Sequence, residues 1–122
     1  MDEIERAVQD LSRDGDLETT VKDVTNAFVN GKEIKITDDI WKKLENTESK
    51  DVKKGEMKKV VEIAKKYNKT SPTILKKSLQ NGDYNRPLIL KFGNRYHLVA
   101  GNTRLCTAAA LGMKPQVLIG EI

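Results

Sequence analysis

The chain has 122 residues, a formal net charge of +4, 33% charged side chains and one cysteine. This length is enough for one compact domain with its own core, and the single Cys106 excludes an internal disulfide and a cluster of cysteine metal ligands. The acidic N-terminus lacks the apolar stretch of a signal peptide and no segment has the length of a membrane span, so we expect a cytoplasmic protein with no membrane contact.

The charge is unevenly distributed along the chain. Residues 1–30 carry 3 basic and 8 acidic side chains, whereas residues 31–80 carry 14 basic and 8 acidic side chains. The basic segment has the charge to attract nucleic acid or nucleotide phosphates, although lysines on helix faces are more often simply solvated. The acidic segment is a candidate surface for a protein partner or a second copy of the chain, or for the basic segment of the same molecule.

Apolar residues at helical spacing near the N-terminus predict two short helices, or one helix broken near Gly15. They are Ile4, Val8 and Leu11, followed by Leu17, Val21, Val24 and Phe28. We expect Asn30 and Gly31 to end this segment with a left-handed cap and KEIKI, residues 32–36, to be extended. Thr37 is a predicted N-cap for a helix that buries Ile40, Trp41 and Leu44.

The stretch ENTESKDVKKGE, residues 45–56, is polar and has no periodicity. This pattern is typical of a linker or a mobile loop. We therefore divide the chain into a helical N-terminal extension, residues 1–50, and a main domain, residues 51–122.

Two more helices are predicted between residues 57 and 81. The first buries Val60, Val61, Ala64 and Tyr67; the second begins at Ser71 and Pro72, buries Ile74, Leu75 and Leu79, and ends at Gly82. The pair is similar to a helix-turn-helix with its turn at Asn68, which makes the exposed lysines candidates for nucleic-acid contact. These are Lys65, Lys66, Lys76 and Lys77. The alternative is that the second helix only packs against the domain.

The last third of the chain changes to β pattern. PLILKF and RYHLVA, joined by Gly93 and Asn94, predict a hairpin in which Leu88, Leu90 and Phe92 share one face, as do Tyr96, Leu98 and Ala100 on the partner strand. A helix over about residues 103–111, capped by Gly112, and a final strand QVLIGEI follow. The fold class is therefore α+β.

The turn between the second strand and this helix, Gly101 to Arg104, is the candidate functional site. The first amides of a helix lack intrahelical acceptors and lie at the positive end of its dipole, so they bind anions. Arg104 in the first turn is slightly unfavourable unless an anion lies beside it, and a guanidinium suits phosphate. Because Asn102 or Thr103 can equally cap the helix, the residues alone support capping and anion binding alike.

The stretch RPLILKFGNRYHLVAGNTRLCTAAALGMKPQVLIGEI, residues 86–122, resembles the ParB/sulfiredoxin superfamily, in which a strand pair leads to a Gly-x-x-Arg phosphate-binding turn, an alanine-rich helix and a strand. With the preceding helix, the resemblance covers roughly residues 75–122. Gly101 and Arg104 match the turn, Ala108, Ala109 and Gly112 the helix, and Val117 and Ile119 the strand.

The resemblance implies a small mixed sheet with helices, here preceded by the helical extension. It also implies a phosphate site at Gly101, Asn102, Thr103 and Arg104, filled by a nucleotide such as CTP or ATP or by nucleic acid. Members of this superfamily include nucleotide-dependent switches, free-serine kinases, ParB-like nucleases and sulfiredoxin, so no single reaction is implied. Cys106 lies within the helix, not in the turn as in sulfiredoxin, and we expect it to be buried.

His97 is the single histidine of the chain and a candidate residue of the same pocket. A strand histidine beside Arg104 can act as a general base, although such residues are usually structural or solvated. It has no His, Cys or carboxylate neighbours at ligand spacing, so we expect no metal site.

We therefore expect a ParB-like protein that holds a nucleotide or nucleic-acid phosphate at residues 101–104 without reacting with it. One alternative is a phosphotransferase or ParB-like nuclease that uses the same pocket. The other is a non-catalytic adaptor whose acidic N-terminal helices bind another chain.

Overall fold

The computed structural model of the protein describes residues 2–67 and 71–122. Within these residues it has six α-helices and one five-stranded mixed sheet, which confirms the α+β class. The elements in chain order are α1 (Glu3–Arg13), α2 (Val21–Val29), β1 (Lys32–Lys35), α3 (Asp38–Lys43), β2 (Leu44–Glu45), a 3-10 helix (Ser49–Asp51), α4 (Met57–Lys66), α5 (Pro72–Asn81), β3 (Leu88–Phe92), β4 (Arg95–Ala100), α6 (Asn102–Leu111) and β5 (Gln116–Glu121).

The strand order in the sheet is β1-β5-β3-β4-β2. The predicted hairpin of β3 and β4 is present, with Phe92 opposite Arg95, and β5 lies parallel to β3. At the two edges, β1 runs antiparallel to β5 and β2 runs parallel to β4. The predicted boundary between residues 50 and 51 falls inside the 3-10 helix, and the sheet contains strands from both sides of it.

Both faces of the central strand β3 are buried. Leu90 and Phe92 pack under α1 and α2, in a cluster that includes Leu11, Val24 and Phe28. Ile89 packs on the opposite face, in a second cluster with Ile36, Ile40, Leu44, Leu98, Leu105 and Val117. The predicted face of Leu88, Leu90 and Phe92 is therefore confirmed, and the sheet lies between α1 and α2 on one side and α3 and α6 on the other.

The predicted break near Gly15 separates α1 from α2, but the predicted left-handed cap at Asn30 and Gly31 is wrong. Asn30 ends α2 with a φ of −95°, and Gly31 does not have positive φ. A Cβ on Gly31 would lie 2.7 Å from the carbonyl oxygen of Ile119 in β5. The glycine is needed here because the backbone of the sheet passes close by, not because of its conformational freedom.

The predicted linker at residues 45–56 is wrong as well. It contains part of β2 and the 3-10 helix, and Ser49 and Val52 are buried. The Trp41 indole donates a 2.8 Å hydrogen bond to Ser49 Oγ, and the amide of Lys53 donates a 2.6 Å bond to Glu56 Oε1. The polar composition misled the prediction because several of these side chains bond to distant parts of the protein, as Thr47 does to Asn102 and Glu45 to Arg95.

Both predicted helices between residues 57 and 81 are present, although three of the expected core residues are exposed, among them Tyr67 at 46%. Val61 is 36% exposed and Ile74 is 59% exposed, whereas Ile63 is buried with Val60 on the side of α4 that packs with Cys106 and Ala110 of α6. The proposed turn at Asn68 lies outside the described residues.

Arg95 on β4 connects three parts of the chain. Its Nη2 lies 2.5 Å from Glu45 Oε1 in β2, and its Nη1 lies 3.0 Å from Asp16 Oδ1 in the connection between α1 and α2. The hydrogen bonds from Arg95 lower the pKa of Glu45. This contact fixes the end of α1 against the sheet. None of the helices in the described ranges is long and apolar enough to cross a membrane.

Candidate functional site

The candidate site begins where β4 ends and α6 begins. Gly101 joins them with a φ of +102°, a conformation that favours glycine. A Cβ at this position would also lie 2.8 Å from Cα of Pro87. Backbone conformation and lack of space therefore both require glycine at the first position of the predicted Gly-x-x-Arg turn.

The N-terminal end of α6 has no side-chain cap among the described residues. The first intrahelical bond runs from the amide of Leu105 to the carbonyl of Gly101. The amides of residues 102–104 donate to no acceptor within residues 2–67 and 71–122. A helix end with three free donors is a site where an anion gains several hydrogen bonds at once.

Asn102 does not cap α6, which corrects one of the two sequence-based expectations for it. Its Oδ1 accepts a 2.7 Å hydrogen bond from Thr47 and a 3.0 Å bond from the amide of Glu48. Because Oδ1 can only accept, the hydroxyl of Thr47 is the donor, and Ser49 must donate to Thr47 Oγ1 at 2.8 Å. A directed chain of hydrogen bonds thus runs from Trp41 through Ser49 and Thr47 to Asn102.

The turn opens into a groove of about 480 Å³, which we call the turn groove. All four predicted phosphate-binding residues, Gly101, Asn102, Thr103 and Arg104, line it. The other walls come from Glu3, Arg6 and Asp10 of α1, from Asn46, Thr47 and Glu48, and from Tyr67 and Leu75. Its volume lies in the range typical of small-molecule sites.

The charges in the turn groove are mixed. Arg104 is partly exposed and forms no salt bridge within the described part of the chain. Three carboxylates line the same groove, those of Glu3, Asp10 and Glu48. The Glu48 carboxylate interacts with the Tyr67 hydroxyl and raises the pKa of that phenol. The groove is therefore not a simple anion site, because carboxylates lie close to its cationic groups.

The four lysines proposed for nucleic-acid contact lie outside the turn groove. Lys66 lines a second depression, of about 550 Å³, between the 3-10 helix and α4, together with Lys50, Lys53 and Lys59. Lys65, Lys76 and Lys77 are exposed on α4 and α5. Glu48 lines both depressions, so the two are adjacent.

His97 does not line the turn groove and lies beneath α1 and α2. It shares a face of β4 with Val99, which packs in the cluster under these helices. The side chain is 8% exposed, and its Nε2 has no hydrogen-bond partner among the described residues. Burial lowers the pKa of His97, which keeps the imidazole neutral, with Glu45, Asp10, Asp16 and Arg95 as the charged groups around it.

Cys106 is fully buried in α6 and packs with Val52 and Val60. Its Sγ lies 3.8 Å from Asn102 Oδ1, and burial raises the pKa of the thiol to about 12. The thiol is therefore protonated at neutral pH and is a packing residue, as the sequence predicted. In the described ranges, no group of three or more His, Cys, Asp or Glu side chains is placed to hold a metal ion.

Sequence reasoning missed the contribution of α1 and of residues 46–48 to the groove. Glu3, Arg6 and Asp10 are ordinary polar positions of an amphipathic helix, and nothing in their local pattern separates them from other surface residues. The asparagine at position 46 is a signal that the sequence does offer, because asparagine tolerates positive φ best after glycine. In the structure Asn46 adopts a φ of +63°. Its Nδ2 donates to the carbonyl of Leu98 at 2.9 Å.

Comparison of the chain with protein-family models, with curated proteins and with solved structures found no match. The resemblance to the ParB/sulfiredoxin superfamily stays a prediction.

Proposed function

We propose that this protein binds a phosphate group of a nucleotide or nucleic acid at the N-terminal end of α6. The observation that carries this proposal is the start of α6, which has no side-chain cap and opens into the turn groove. Arg104 lines the same groove and forms no salt bridge with any described residue. Neither feature stabilises the isolated protein. Each becomes favourable when an anion is present.

The magnitudes support an anion in preference to a merely uncapped helix. A suitable N-cap side chain contributes about 1 kcal/mol, and a cation in the first turn costs roughly 0.3–1 kcal/mol. The chain has an asparagine at the first position of α6, but its Oδ1 is bound to Thr47 and Glu48 instead. The amides of α6 and the guanidinium of Arg104 are therefore left for a ligand, and charge-assisted hydrogen bonds to phosphate are about twice as strong as neutral ones.

The binding test is calorimetric titration of the protein with ATP, with CTP and with a short single-stranded DNA. We expect Arg104→Gln to weaken binding about tenfold or more, because one hydrogen bond to a charged group is worth roughly 1.5–3 kcal/mol. Lys22→Gln is the matched control, since Lys22 is exposed on α2, forms no salt bridge with a described residue and carries the same charge. Equal affinities for the two variants would contradict the proposal.

A second candidate function, phosphoryl transfer or hydrolysis in the same groove, is favoured by the carboxylates that line it. Glu3, Asp10 and Glu48 are the described acids near the proposed phosphate, and any of them can serve as a general base if it reaches the attacking group. His97 is not one of these candidates, because it is buried and does not line the groove.

This second candidate has its own test. Purified protein is incubated with ATP, CTP or single-stranded DNA, and released phosphate and strand cleavage are measured. If the protein binds a probe without forming product, and Glu48→Gln does not change this result, the function is phosphate binding without a reaction. Product formation that Glu48→Gln or Asp10→Asn abolishes would establish an enzyme.

A further inference from the structure

The rotation of α1 directs one polar edge of this helix to the turn groove. Its apolar residues Ala7 and Leu11 are buried, with Ile4 and Val8 packed against the same cluster under α2. Glu3, Arg6 and Asp10 follow one another at helical spacing and all line the groove. Because the buried stripe fixes the helix, Arg6 is held at the groove and not elsewhere on the surface.

The two arginines of α1 are in different situations. Arg13 lies 3.0 Å from Asp10 and 3.5 Å from Asp14, so its charge is already paired. Arg6 forms neither a salt bridge nor a side-chain hydrogen bond within residues 2–67 and 71–122, although Asp10 follows it by one helical turn. An exposed arginine at a groove wall, with its five donors unused by described residues, is available to a ligand.

We propose that Arg6 is a second cationic ligand of the phosphate that Arg104 binds, so that α1 completes the site. This inference rests on the proposed function. The two guanidinium groups come from opposite ends of the sequence and from different walls of one groove, and the amides of α6 lie beside Arg104. A terminal phosphate has three non-bridging oxygens that can accept hydrogen bonds from helix amides and from both guanidinium groups. Two guanidinium groups that come from separate elements select for geometry as well as charge.

The carboxylates beside Arg6 are part of the same arrangement. Arg6 lies between Glu3 and Asp10 along the helix but forms a close ion pair with neither of them, and Asp10 is paired with Arg13 instead. When a phosphate enters, Arg6 exchanges a weak, solvated interaction for a charge-assisted hydrogen bond. Arg6 therefore contributes to affinity, whereas it contributes little to the stability of the free protein.

The test compares four variants by titration with ATP, CTP and short single-stranded DNA: Arg6→Gln, Arg104→Gln, the double variant and Lys22→Gln. We expect Arg6→Gln to weaken the affinity for the best of these probes by about tenfold, and Lys22→Gln to change it by less than about twofold. In the double variant the two losses should not simply multiply, because both arginines bind one group. The thermal unfolding midpoint of Arg6→Gln should match that of wild type.

The outcomes separate this inference from the proposed function. If Arg104→Gln weakens binding and Arg6→Gln behaves like Lys22→Gln, the role of Arg6 is wrong and the phosphate site at α6 stands. If wild-type protein binds none of the probes, or Arg104→Gln behaves like Lys22→Gln, the proposed function fails and the inference fails with it. The relative affinities for the two nucleotides and for DNA show which source supplies the phosphate.

Discussion

The hydroxyl of Thr47 donates a 2.7 Å hydrogen bond to Oδ1 of Asn102, across 55 positions of the sequence. This bond, with the one from the Glu48 amide, joins the segment after β2 to the first turn of α6. It occupies the side-chain oxygen that would otherwise be the nearest cap for α6. The same contact that orders one wall of the turn groove therefore keeps Asn102 from the free amides, and the N-cap residue, Gly101, has no side chain to bond them.

Replacement of Asn102 by alanine tests this relationship. The variant removes the acceptor of both Thr47 and Glu48, and we expect the free energy of unfolding to fall by about 1–3 kcal/mol, the cost of leaving partly buried polar groups without partners. Asn26→Ala is the control, since Asn26 is exposed on α2. Urea unfolding followed by circular dichroism measures both. If Asn102→Ala is no less stable than Asn26→Ala, the hydrogen-bond chain does not hold residues 46–49.

The carboxylate of Glu3 is expected to limit anion binding in the turn groove. Glu3→Gln removes one negative charge from the groove wall and should strengthen the binding of ATP or of short single-stranded DNA by up to about fivefold, since exposed charge pairs are worth roughly 0.2–1 kcal/mol. The gain should shrink as salt is added. Glu5→Gln changes the same charge on α1 at a position that does not line the groove. An equal gain in both variants would mean that only net charge matters.

Gly101→Ala should be strongly destabilising, for two separate reasons. The alanine must adopt a φ of +102°, and its Cβ would lie 2.8 Å from Cα of Pro87. Gly82 has a φ of +74°, but a Cβ added there would have no neighbouring atom within 4 Å, so Gly82→Ala measures the conformational cost alone, about 1–2 kcal/mol. We expect Gly101→Ala to cost roughly 1–3 kcal/mol more than this control, by chemical unfolding. Equal costs would show that the backbone at Pro87 moves away freely.

The buried His97 predicts a specific pH dependence of stability. Burial lowers its pKa below the ordinary value of 6.5, so the unfolded chain takes up a proton at a higher pH than the folded protein does. The free energy of unfolding is therefore greatest above about pH 6.5 and decreases as the pH falls from there to the folded-state pKa. His97→Leu should remove this decrease.

NMR gives a direct measurement, because the chain contains one histidine. The ring protons of His97 should titrate with a pKa below 6.5 in the folded protein. A pKa at or above that value would contradict the burial of a neutral imidazole under α1. Arg95 lowers the pKa of Glu45, so a second decrease in the free energy of unfolding is expected at more acidic pH. This second decrease should remain in the His97→Leu variant.

Local signals in the sequence predicted much of the fold. Thr37 caps α3 through a 3.2 Å hydrogen bond from the amide of Ile40, Gly82 and Gly112 end their helices with positive φ, and the hairpin forms at Gly93. Each depends on residues within one turn of each other. The β alternation likewise identified which side chains of β3 share a face.

The rest depends on contacts between distant residues. The polar composition of residues 45–56 is that of a linker, and only the distant contact with Asn102 shows that this segment is ordered. Ile74 is apolar enough to be buried, but α5 packs through Leu75 and Leu79 and leaves Ile74 exposed. Arg6 is a candidate ligand only because the burial of Ala7 and Leu11 orients its side of α1 towards the turn groove. Periodicity gives the buried stripe of a helix, but not the element that its polar edge will face.

The sheet order also bears on how the chain can be shortened. Both outer strands, β1 and β2, belong to residues 1–50, so a fragment of residues 51–122 would leave the free edges of β5 and β4 unpaired and the apolar face under α1 and α2 uncovered. Exposed edges of this kind pair with other chains. We expect such a fragment to aggregate, which light scattering would measure. In the whole chain the outer strand β1 carries lysines at both ends, and these charges disfavour strand pairing between molecules.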